Sequence, residues 1–87
     1  MNQSPAKSPS FLESLARDVA TVLKSLGGSA HQNVVIDCVA ALKRQRGEPV
    51  THDLRQAVVE AFERYSDWFT RPFGDGSMRW ALVAEPG

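Results

Sequence analysis

The sequence predicts a mainly α-helical domain in which three amphipathic helices are closed by a short C-terminal β-hairpin. Three observations carry that prediction. Apolar residues recur at three- and four-residue spacing in three separate stretches, each of ordinary globular-helix length. Gly27 with Gly28, and Gly47 with Pro49, punctuate the intervals between those stretches. After Tyr65 the pattern turns extended, with strand-favouring residues in two short runs separated by Gly74, Asp75, Gly76 and Ser77.

Residues 1–10, MNQSPAKSPS, are expected to form a disordered tail, because ordering them costs entropy that no apolar burial offsets. Ser10 is placed to cap the first helix, and Glu13 three residues later completes a capping box. Phe11, Leu12, Leu15, Val19, Val22, Leu23 and Leu26 then form a wide apolar stripe. Gly27 and Gly28 end the helix, since glycine adopts the left-handed backbone without a Cβ clash. Ser29 and Gln32 repeat the capping pattern, so the second helix is expected from Ala30 to Arg44, with Val35, Cys38, Val39 and Leu42 facing the core.

Gly47 and Pro49 break the second helix. Thr51 is the expected cap of the third, which runs to Tyr65 on a stripe of Leu54, Ala57, Val58, Ala61, Phe62 and Tyr65. Asp53 in its first turn suits the positive end of the helix dipole. In the hairpin, Pro72 cannot donate to a ladder, so the first strand is an edge or ends early. The folded domain is expected over residues 11–84, with residues 85–87 a frayed end.

Eighty-seven residues allow one compact core. Ten basic residues balance ten acidic ones, whereas a sequence-independent polyanion binder normally carries a basic excess. Cys38 has no partner for an internal disulfide and reads as a small buried hydrophobe in a reducing compartment. No apolar run approaches the roughly 20 residues of a membrane span, and the N-terminus lacks a signal-peptide core, so a cytoplasmic protein is expected. His31, Cys38 and His52 lack metal-ligand spacing, and no phosphate loop or nucleophile motif is present. Neither a metal, a cofactor nor an enzymatic activity is therefore expected.

Three helices followed by a hairpin is the layout of a winged helix-turn-helix, whose third helix would enter the DNA major groove. On that layout Lys43, Arg44 and Arg46 on the turn, Thr51, His52, Arg55 and Gln56 at the start of the third helix, and Arg71 and Arg79 on the hairpin could share one face. The cations would lie on phosphates, while Arg55 and Gln56 would reach guanine and adenine edges. The expected partner is double-stranded DNA, with a homodimer or larger complex supplying further contacts, because a small neutral module binds weakly alone.

Lys43 to Arg79 holds seven basic against six acidic residues, so these side chains also fit an ordinary solvated surface. The alternative function is a protein-interaction module in which Glu60, Glu63 and Asp67 meet a basic partner. Trp68, Phe69, Phe73 and Trp80 are either a stacking platform for single strands or a lid on the core, and burial tendencies favour the lid.

The stretches LKSLGGSAHQNVVIDCVAAL, THDLRQAVVEAFERY and WFTRPFGDGSMRWALV resemble known small winged-helix modules. With the junction Gly27-Gly28-Ser29-Ala30 and the run from Gly76 to Leu82, the chain from Phe11 to Val83 resembles the N-terminal domains of Mrr-type restriction proteins and the HARE-type helix-turn-helix domain. In those families the module precedes a nuclease or sits within a chromatin protein. The resemblance implies DNA binding through the third helix and wing. A transcriptional regulator, or a regulator of a phage or mobile element, is the corresponding expectation.

Overall fold

The computed structural model describes residues 9–74 and 76–83. Three helices and a small antiparallel sheet follow one another as α1 (Pro9–Ser25), β1 (Ser29–His31), α2 (Gln32–Gln45), α3 (Leu54–Arg64), β2 (Phe69–Thr70) and β3 (Arg79–Leu82). Apart from Pro9 and Ser10, the expected N-terminal tail lies outside the described residues, as do the last four residues and Asp75. None of the described helices is long and apolar enough to cross a membrane.

α1 starts at Pro9, two residues earlier than expected, so Ser10 lies inside the first turn and does not precede it. A proline suits a helix start, because its fixed φ is already helical and its missing N–H would have had no intrahelical acceptor. At the other end Gly27 and Gly28 have φ of 90° and 101°. The Gly28 N–H donates to Leu23 O at 2.8 Å and the Gly27 N–H to Lys24 O at 3.2 Å, which satisfies carbonyls that the helix would leave open.

The two glycines lead into a strand and not directly into the second helix. β1 pairs antiparallel with β3, with Ser29 opposite Ala81, Ala30 opposite Trp80 and His31 opposite Arg79. The sheet therefore has three strands in the order β1-β3-β2, where a two-stranded hairpin was expected. Ser29 is accordingly no helix cap. α2 is capped by His31, whose Nδ1 accepts the Asn33 N–H at 3.0 Å, and Gln32 is the first helical residue. A three-residue strand is too short to show a period of two, and its one buried side chain is Ala30.

α3 is also shorter than expected. Asp53 is its N-cap residue without a side-chain cap bond, and the Thr51 hydroxyl donates to the Asp53 carboxylate instead of capping the helix. β2 ends at Thr70, two residues before Pro72, and is an edge strand as the proline requires.

α1, α2 and α3 pack on one another around Leu15, Val19, Leu23, Val35, Val39, Val58 and Phe62. Phe62 joins this core to the sheet. Its ring stacks on Trp80 at 4.3 Å, nearly parallel, and meets Phe69 edge-on at 5.2 Å. Phe69 and Trp80 are thus buried as a lid on the helices, Trp68 is half-buried, and Phe73 is exposed.

Candidate nucleic-acid interface

The hydrogen bonds around Gln32 position the start of α2 against the hairpin. Its N–H donates to Met78 O at 2.7 Å, and its buried Oε1 accepts the Trp80 Nε1–H at 3.2 Å. An unpartnered indole N–H in this core would cost about 1–3 kcal/mol, so the pair fixes the register of helix against sheet. This attachment brings Met78 up to the exposed side of α3.

A shallow concavity of about 620 Å³ results, lined by Gln32, His52, Asp53, Arg55, Gln56, Val59 and Met78. Of the nine candidate residues, His52, Arg55 and Gln56 come together here, with Thr51 bonded to the adjoining Asp53. Arg55 is exposed, and its Nη1 donates to Asn33 Oδ1 at 2.8 Å. The surface is a short helix start carrying one arginine, one histidine, one carboxylate and one amide, bordered by Gln32, Val59 and Met78.

Three other candidate cations are engaged elsewhere. Arg46 makes a double contact with Asp18 of α1, at 2.6 and 3.2 Å, and its Nε lies 3.2 Å from Glu48. The Asp18 hydrogen bond pushes the Arg46 guanidinium above its ordinary pKa; partial desolvation opposes this, and the charges of Asp18 and Glu48 add to it. Lys43, only 14% exposed, reaches Glu48 at 3.5 Å. It lines a different groove with Phe11, Leu15 and Leu54.

Arg71 lies over the Trp80 ring at 4.4 Å and 3.5 Å from Glu63, so much of its side chain is committed to covering the sheet. Arg44 is exposed in the last turn of α2 and has no acidic partner among the described residues. Arg79 is exposed on β3 opposite His31, and its backbone N–H donates to Ser77 Oγ at 3.0 Å.

Sequence reasoning missed Asn33, Met78 and His31 as neighbours of this surface. His31 ends the strand that replaces the expected helix turn, Asn33 follows it in the first turn of α2, and Met78 belongs to a hairpin whose register no periodicity fixes. No group of three or more His, Cys, Asp or Glu side chains able to hold a metal occurs among the described residues. Compared with known proteins, the chain matches no family model, no curated protein and no solved structure.

Proposed function

We propose that this chain is a winged helix-turn-helix module that binds double-stranded DNA, with α3 in the major groove and the β2–β3 hairpin as the wing along the backbone. The observation that carries the proposal is the gathering of His52, Arg55 and Gln56 with Met78 on one concave surface at the start of α3. Helix-turn-helix proteins place this part of the helix against base edges, and these residue types match the donors and acceptors displayed there. The resemblance to Mrr-type and HARE-type modules points the same way. Arg44 and Arg79 are exposed cations available for phosphates. A cytoplasmic regulator acting as a dimer or within a larger complex fits a domain with no net charge, because a single copy offers few phosphate contacts.

The proposal is tested by fluorescence anisotropy of a labelled random-sequence duplex, titrated at low and then rising salt. Binding that weakens with salt and drops in Arg55→Ala supports it; absence of binding at the lowest salt refutes it.

A second reading has its own observation. Arg46, Lys43 and Arg71 are paired with Asp18, Glu48 and Glu63, so part of the expected positive face is neutralised. A protein-interaction module on the same scaffold would use Glu60, Glu63 and Asp67 against a basic partner, and a pull-down in the absence of nucleic acid separates it from the first reading.

A further inference from the structure

Arg55 is held from a neighbouring helix. Its Nη1 donates to Asn33 Oδ1 at 2.8 Å, and Asn33 belongs to the first turn of α2. Asn33 is itself placed by the sheet. Its N–H donates to His31 Nδ1, and His31 lies in β1 opposite Arg79. Gln32, between them, is bonded both to the Met78 carbonyl and to Trp80 Nε1. The backbone that leads into Asn33 is therefore anchored to the sheet before its side chain reaches across to α3.

Anchoring of this kind changes what an arginine can do. A surface guanidinium on a flexible stem loses rotamer freedom when it binds, and a partner that holds it beforehand removes part of that loss. Arginine has five N–H donors in a planar fork, and the bond to Asn33 occupies a single Nη1 donor. The Nε and Nη2 edge makes no hydrogen bond among the described residues. Two parallel donors of that spacing match O6 and N7 of guanine in the major groove.

We propose that Asn33 is a positioning residue that fixes the Arg55 guanidinium so that its Nε–Nη2 edge is offered to guanine, which makes the interface selective for duplexes carrying guanine beneath the first turn of α3. The inference rests on the DNA-reading function above and adds the class of site that is read. Asn33 is exposed, so its truncation leaves no buried polar group behind and spares the fold.

The test is selection of bound duplexes from a random library, followed by anisotropy on the selected duplex and on a version with the guanine pair replaced by an adenine pair. The wild-type chain should enrich guanine at one position and discriminate by about tenfold. Arg55→Ala should lose that discrimination. Asn33→Ala, with an unchanged melting curve, should keep its affinity for random duplex and its salt dependence while discrimination falls toward unity. Asn33→Asp keeps an acceptor for Arg55 and adds a negative charge, so affinity should drop on every duplex with the preference retained. Wild-type binding without a guanine preference, or an Asn33→Ala variant that keeps the full preference, overturns the inference and leaves DNA binding standing. Absence of any binding by the wild type overturns both.

Discussion

Arg46 and Asp18 tie the C-terminal end of α2 to α1 across 28 residues of sequence, Nη2 to Oδ2 at 2.6 Å and Nη1 to Oδ1 at 3.2 Å. A planar guanidinium meeting a carboxylate through two bonds is the geometry in which a surface ion pair holds a defined orientation. Arg46→Ala and Asp18→Asn should each lower the melting temperature, and the double variant should melt no lower than the worse single one, as expected for two groups acting through each other. Thermal melts of the four proteins check this. Because the folded-state pKa of Arg46 is raised, its contribution is fully present below arginine's ordinary value and lost only in strong alkali. Melting across the neutral range should show no step attributable to Arg46.

Gln32 and Trp80 supply the second prediction. Gln32→Ala leaves the buried indole N–H without its acceptor and should cost about 1–3 kcal/mol. Urea denaturation with an unchanged slope would attribute the loss to the folded state, and Trp80→Phe in the Gln32→Ala background should recover part of it.

At Gly28 the positive φ is the only obstacle to a side chain, since an added Cβ would meet nothing within 4 Å. Gly28→Ala should therefore destabilise by about 1–2 kcal/mol through backbone strain alone. Gly28→Asn should cost less, because asparagine tolerates the left-handed region. Chemical denaturation of both variants distinguishes strain from packing.

These glycines also show how far the sequence was legible. Their pairing marked the end of α1 correctly, because the closing geometry of a helix is a local matter. The strand beyond them was not legible, because Ser29, Ala30 and His31 become a strand only through β3, some fifty residues away. The Ser-x-x-Gln pattern there satisfied a local rule and was overridden by this pairing and by the Gln32 bond to Trp80. For the same reason the gathering of His52, Arg55 and Gln56 could be anticipated from helical spacing, while Asn33 and Met78 beside them could not. In sequence Lys43, Arg46 and Arg71 are cations that could share one face; their pairing with Glu48, Asp18 and Glu63 depends on how helices and hairpin pack.

Phe69 and Phe73 divide the aromatic hairpin. Phe69 is buried beside Phe62, whereas Phe73 is 73% exposed. Phe69→Ala should cost about 3–5 kcal/mol, enough to unfold much of a marginally stable domain. Phe73→Ser should stay within about 0.5 kcal/mol of wild type. Circular-dichroism melts of the two variants read the contrast directly.

The central claim is that the start of α3 is the surface that meets DNA, and amide chemical-shift mapping tests it most directly. A ¹⁵N-labelled sample would be titrated at low salt with a duplex containing guanine-rich and adenine-rich steps. The expected result is a contiguous set of shifts over Asn33, His52, Arg55, Gln56 and Met78, growing with duplex and reversed by salt. Shifts confined to the α1 groove around Phe11 and Lys43, or no shifts at all, would contradict the claim.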